Sequence, residues 1–107
     1  MIMIQDVLPL IDACRQRNEA LAVATVVQTY GSAPRQVGAK LVVSASGAMA
    51  GSVSGGCIEG AVFQECQQTI KTGQPKLLTY GVSNEQAWEV GLACGGTIEV
   101  FVERLDW

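Results

Sequence analysis

Ile4, Val7, Leu8 and Ile11 recur at the spacing of one helix face, and Cys14 extends the stripe. The pattern predicts a helix over residues 4–17. Pro9 belongs in a first turn, which puts the start of the regular helix near Asp6, a good N-cap. Asn18 is a natural stop. Residues 20–30 (ALAVATVVQTY) combine Val, Ala and Thr without polar alternation, the mark of a strand buried on both faces. Gly31-Ser32-Ala33-Pro34 breaks it. Residues 38–45 predict a second strand and 48–53 a short third one, joined at Ser46-Gly47 as a hairpin that Gly55-Gly56 ends. A second helix is expected over 57–72. Ile58, Ala61, Val62, Cys66, Thr69 and Ile70 share its stripe, Gly73 stops it and Pro75 follows. Residues 76–81 predict a strand, and 83–92, with Trp88 and Val90, have room for a helical turn. In 97–104 (TIEVFVER), Ile98, Val100 and Val102 alternate with Glu99, Phe101 and Glu103, which predicts a half-exposed last strand.

The order α-β-β-β-α-β-β implies an α/β or α+β layer fold: one mixed β-sheet of about five strands flanked by two main helices. At 107 residues the chain is expected to be a single domain with a modest core. It is 49% hydrophobic and 16% charged, which excludes a disordered chain. The longest nearly apolar run, Ala20–Val27, is strand-sized and far short of the ~20 residues of a membrane helix. No basic stretch followed by an apolar one marks a secretory signal, so the expected location is cytoplasmic. The formal net charge of −3 argues against nucleic acid as a partner. Between Glu19 and Glu59 the only charged side chains are Arg35 and Lys40, an arrangement that suits one small anionic group.

Four cysteines in such a chain read as reduced thiols. There is no histidine, and the positions of Cys14, Cys57, Cys66 and Cys94 match no zinc pattern. Cys14 and Cys66 lie on apolar helix stripes and read as core. Cys57 and Cys94 differ, because each stands beside a glycine pair: Gly55-Gly56-Cys57 and Cys94-Gly95-Gly96. Three clusters carry candidate chemistry. Gly31–Lys40 holds Ser32, Arg35 and Lys40 after a buried strand, and the Arg35 guanidinium is a planar fork suited to phosphate. Gly51–Glu59 runs from a glycine-rich turn, through Ser54, Gly55 and Gly56, into a helix start, where free N–H groups favour anions. It puts Cys57 in the first helical turn, a position that lowers a thiol pKa, while Glu59 opposes that effect. This second cluster has neither a dinucleotide nor a Walker spacing. Gly91–Gly96 carries Cys94 ahead of the last strand. Each cluster is also readable as a tight strand connection with a small core thiol or a surface charge. Tyr30 and Tyr80, each before a glycine at a strand end, are the better candidates for stacking on a flat ligand.

Taken together, GSAPRQVGAK, GSVSGGCIEGAV and GLACGGTIEVFVE resemble the XdhC/CoxI family, the xanthine dehydrogenase accessory factors. The likeness runs over residues 7–104 and rests on Gly31, Ser32, Pro34, Arg35, Gly38, Gly55, Gly56, Cys57, Glu59, Cys94, Gly95 and Gly96. The resemblance implies a maturation protein that binds the molybdenum cofactor (molybdopterin) as cargo. Such a protein assists sulfuration of the cofactor or its insertion into a xanthine dehydrogenase-type molybdenum hydroxylase, as a chaperone rather than an enzyme. On that reading the cofactor-binding residues are Ser32, Arg35, Lys40, Ser54, Gly55, Gly56, Cys57, Glu59, Cys94, Gly95 and Gly96. Arg35, Lys40 and the amides at 54–57 would take the phosphate, Glu59 the pterin N–H groups, and Cys57 or Cys94 the molybdenum, since thiolates suit softer metals. The usual family member adds a C-terminal Rossmann-like domain that this sequence lacks. The expectation is therefore a single XdhC/CoxI-like domain over 1–107 with no NAD. Its partners would be the hydroxylase client and a separate Rossmann-domain protein. Two other readings stand beside this one: a thiol redox protein using Cys57 and Cys94, and a non-catalytic scaffold module that forms a homo-oligomer.

Overall fold

The computed structural model describes residues 4–30, 37–53, 58–80 and 97–105. Along them run α1 (Ile4–Arg17), β1 (Leu21–Tyr30), β2 (Lys40–Ser44), β3 (Met49–Gly51), α2 (Glu59–Thr72), β4 (Lys76–Tyr80) and β5 (Thr97–Leu105). The strands form one sheet in the order β3-β2-β1-β5-β4. Every neighbouring pair is antiparallel. The five strands and two helices are those expected, and the antiparallel pairing takes the α+β branch of that expectation. The predicted helical turn over 83–92 lies outside the described residues.

The helices cover opposite faces of the sheet. α1 packs on β2 and β3, and α2 on β1, β5 and β2. On the α2 side Ala22, Ala24, Val26, Leu41, Val43, Ile98, Val100 and Val102 meet Val62 and Cys66 of the helix. Alanines at two of the three β1 positions leave room for α2 to lie close to the sheet. On the α1 side Val7 and Cys14 meet Leu21 and Val42. Each fully buried Val or Leu side chain contributes about 1.5–3 kcal/mol, so these two layers dominate the stability of the domain.

β1 is buried on both faces only in its first half. Leu21, Ala22, Ala24 and Val26 are buried, whereas Val27, Gln28 and Tyr30 are exposed. The cause is coverage: α1 packs on β2 and β3, and among the described residues no helix packs on the far half of that face of β1. A bulge between Val26 and Gln28 then shifts the register, so that Thr29 pairs with Ile98 and Tyr30 with Thr97. Directly opposed residues share a face. Tyr30 therefore faces away from α2, while Tyr80, which also pairs with Ile98, packs into the α2-side core. The two tyrosines lie on opposite faces and cannot stack on one flat ligand from the same side.

The helix ends differ from expectation at the N-terminal side. α1 begins at Ile4, so Asp6 is inside the helix rather than capping it, and Pro9 sits in the helix interior. Its end is as predicted. Asn18 adopts φ 56°, with Asn18 N–H donating to the Arg15 carbonyl (3.2 Å) and Glu19 N–H to the Cys14 carbonyl (2.8 Å), a Schellman close. α2 begins at Glu59 with Ile58 as N-cap, two residues later than the expected start at 57, and Cys57 lies outside the described residues.

Glu19 ties the exit of α1 to the β2–β3 turn. It accepts Ser46 N–H at 2.7 Å and Arg17 Nη2 at 2.8 Å. The Ser46 hydroxyl, Arg17 and the Ser46 N–H together pull its carboxyl down from 4.5 to about 2. A pKa depressed on folding stabilises above the unfolded value and loses that stabilisation as pH falls through the folded one. Glu19→Gln is therefore expected to flatten the acid limb of the stability curve between about pH 4.5 and 2, measured by urea unfolding across that range.

Gly51, at φ +88°, ends β3 where a Cβ would run into the Lys40 carbonyl oxygen and lie 2.8 Å from Val7 Cγ1. It is thus the residue that lets α1 and β2 close on β3. Gly51→Ala is expected to destabilise by roughly 2–4 kcal/mol, as positive-φ strain and overpacking add, seen as a lower urea midpoint.

Candidate functional site

The antiparallel topology brings the described flanks of all three clusters to one end of the sheet. β1, β3 and β4 finish there and β2 and β5 begin there. The first cluster leaves from Tyr30 and returns at Val37, the second runs from Gly51 to Glu59, and the third leads into Thr97. That end is stepped. β2 starts at Lys40, level with Thr25, while β1 and β5 stay paired up to Tyr30 and Thr97. Five residues of strand make the step roughly 15 Å tall. β2 and β3 form its lower shelf.

Of the predicted site residues, Lys40 and Glu59 are described. Ser32, Arg35, Ser54, Gly55, Gly56, Cys57, Cys94, Gly95 and Gly96 lie outside the described residues, and so does the separation of Cys57 from Cys94. Lys40 stands at the start of β2 between the α2-facing Ala39 and Leu41, so it points to the opposite face. There its ammonium donates to Thr25 Oγ1 at 3.2 Å. Glu59 stands on the α2 side, in the first turn of the helix. Its Oε2 accepts Ser52 Oγ–H at 2.7 Å and Val53 N–H at 2.9 Å. The structure therefore does not bring Lys40 and Glu59 together. It also changes the electrostatics of the helix start, because a carboxylate in the first turn offsets the positive end of the helix dipole that an anion would use. Ser52, Val53 and Thr25 were missed as partners because nothing in a one-dimensional pattern links residues 52 and 59, or 25 and 40. The links exist only once β3, β2 and α2 are packed.

Cys14 and Cys66 are fully buried, as their helix stripes predict. They sit in separate cores on opposite faces of the sheet, which rules out a single site built from all four thiols. Burial, and then the nearby Glu65 charge, pushes Cys66 up to about 12. Burial and Glu19 raise Cys14 against the opposing pull of Arg17, whose Nη2 lies 3.7 Å from Sγ. Tyr80 is likewise raised to about 12, by burial and then by Glu65 and Cys66. Among the described residues no three Cys, Asp or Glu side chains gather to hold a metal, and no helix is long and apolar enough to cross a membrane.

Residues 14–81 match the XdhC and CoxI family. The chain belongs to that family. It is 35% identical over 98 residues to a probable xanthine dehydrogenase subunit of Bacillus subtilis (strain 168), covering 90% of this chain and 30% of that protein. It is 34% identical over 88 residues to the molybdenum cofactor insertion chaperone PaoD of Escherichia coli (strain K12), covering 82% of this chain and 27% of that one. A crystal structure of a xanthine dehydrogenase from Bacillus halodurans superposes with a TM-score of 0.77 at 28% identity, over 92% of this chain and 30% of the other. The chain thus spans less than a third of the length of these relatives. The matched region of the family, residues 14–81, contains the first two clusters, including Lys40 and Glu59.

Cys14 and Cys66 are expected to react with a small aromatic disulfide only as fast as the domain unfolds, while any rapid thiol release comes from Cys57 and Cys94. Stopped-flow absorbance with and without denaturant, on the wild type and Cys57→Ser/Cys94→Ser, checks this count.

Proposed function

We propose that this chain is a cofactor-handling accessory domain. It binds the molybdenum cofactor as cargo and supports its sulfuration or insertion into a molybdenum hydroxylase of the xanthine dehydrogenase type. The observation that supports the reading is the convergence of the described flanks of the three motif clusters on one stepped end of the sheet, in a chain similar to a named cofactor insertion chaperone. The donor set in those clusters fits such a cargo. A guanidinium and glycine-flanked main-chain amides suit a phosphate, and two thiols suit a soft metal centre. Arg35 rather than Lys40 is the cation assigned to the phosphate, because the Lys40 ammonium is bonded to Thr25 on the face away from α2. Ser32 and the amides of residues 54–57 add donors to the same group. Cys57 and Cys94 are assigned to the metal end. The client hydroxylase takes the cargo from this end, so the protein acts by holding and presenting a group rather than by turning over a small molecule.

The test uses molybdenum cofactor released from a purified molybdenum hydroxylase under anaerobic conditions. The full chain is expected to retain pterin fluorescence near one equivalent after gel filtration, and to raise the activity recovered when cofactor-free hydroxylase is added. Arg35→Ala and Cys57→Ala should each weaken retention at least tenfold while leaving the thermal midpoint unchanged. Retention that is absent in the wild type, or equal in both variants, sinks the proposal. A Cys57–Cys94 disulfide in non-reduced peptide maps of a chain that takes up no cofactor would put the thiol redox reading in its place.

A further inference from the structure

α2 lacks the polar cap that helices of this kind usually carry. Its N-cap is Ile58, at φ −128° and ψ 9°, and no side chain caps it. What fixes its start is Glu59, whose carboxylate reaches back across the connection from β3. Through Oε2 it holds the Ser52 hydroxyl and the Val53 N–H. Both bonds are charge-assisted, the stronger class. The held pair is itself anchored. Ser52 N–H donates to the Lys40 carbonyl at 2.9 Å, and the Val53 side chain is buried in the α2-side core beside Ile58. A continuous chain of bonds therefore runs from β2 through Ser52 and Val53 to the first turn of α2. Residues 54–57 are the stretch between its two fixed ends.

We infer that Glu59 is a positioning residue, which pins both ends of the 54–57 segment through Ser52 and Val53 and does not itself contact the bound group. The relevance to cargo rests on the function proposed above, but the bonds of Glu59 do not. The inference departs from the sequence-based assignment of Glu59 to the pterin. Oε2 already holds two donors, which fixes the carboxylate on the connection it closes. A carboxylate beside a phosphate would also repel it, whereas one turned towards Ser52 and Val53 is compensated by its own donors.

Amide hydrogen exchange on the full chain tests the pin without any ligand. The Val53 N–H is expected to exchange at least tenfold faster in Glu59→Ala and to be partly restored in Glu59→Gln, which keeps an acceptor oxygen. The Ala24 amide, in the middle of the sheet, reports global stability and should not change. Val53 exchange that is equal in the wild type and Glu59→Ala overturns the inference. Ser52→Ala, which leaves the carboxylate in place, keeps the question open to measurement if Glu59→Ala fails to fold. In a second arm, retention of molybdenum cofactor released from a hydroxylase should fall by similar factors in Ser52→Ala and Glu59→Ala, with the double variant no worse than the weaker binder. Normal retention in Ser52→Ala beside lost retention in Glu59→Ala makes Glu59 a direct contact and overturns the inference. No retention by the wild type removes the proposed function, and the exchange arm then decides the role of Glu59 alone.

Discussion

β1 is hydrogen-bonded along both edges and packed on both faces over Leu21–Val26, and the rest of the domain is arranged around that stretch. A strand in that position has little side left for water, so its residues are apolar except Thr25, whose hydroxyl accepts Lys40, and small where a helix approaches. Ala22 and Ala24 meet the second condition. They allow α2 to lie against β1, β5 and β2 at once. Leu21 faces the other way and is the apolar floor for Cys14 and α1. Where β1 runs past the cover of α1, the same apolar letters become solvent-exposed, at Val27 and Tyr30.

The functional end inherits its shape from this arrangement. β1 and β5 outrun β2 and β3, and the bulge after Val26 turns the last residues of β1 over. The shelf below is held by short-range fits rather than by a large core. Gly51 lets the Lys40 carbonyl and Val7 come close, Ser52 bonds back to Lys40, and Glu59 collects Ser52 and Val53. One glycine of the glycine-rich stretch is thereby explained by packing and not by ligand approach. The acid of the same stretch is engaged by the backbone it follows. A motif that reads as a single ligand loop thus contains a structural part, 51–53 with 59.

The mirrored Gly-Gly-Cys and Cys-Gly-Gly tripeptides stand out in the sequence, and the topology brings the described flanks of the clusters that hold them to one end of the sheet. Antiparallel neighbours alternate direction, so the exits of β1, β3 and β4 and the entries of β2 and β5 must coincide. This is a consequence of strand order, not of any one contact. The two helix-covered faces meanwhile carry the stability.

Local pattern was enough to read the elements, because helix and strand periodicity are written in neighbouring residues. The seven elements, the Asn18 and Gly73 stops, the hairpin and the core thiols Cys14 and Cys66 all follow from spacing alone. The family followed from three short motifs in order. Tertiary structure decided what spacing cannot carry: the strand order, the half-covered face of β1, the bulge that separates Tyr30 from Tyr80, and the start of α2 at Glu59 instead of residue 57. It also decided the partners of Lys40 and Glu59. Both side chains are long and charged, and their sequence neighbours offer many donors and acceptors. Which one each selects depends on which face of the sheet it reaches, and that is set only when β2, β3 and α2 pack together.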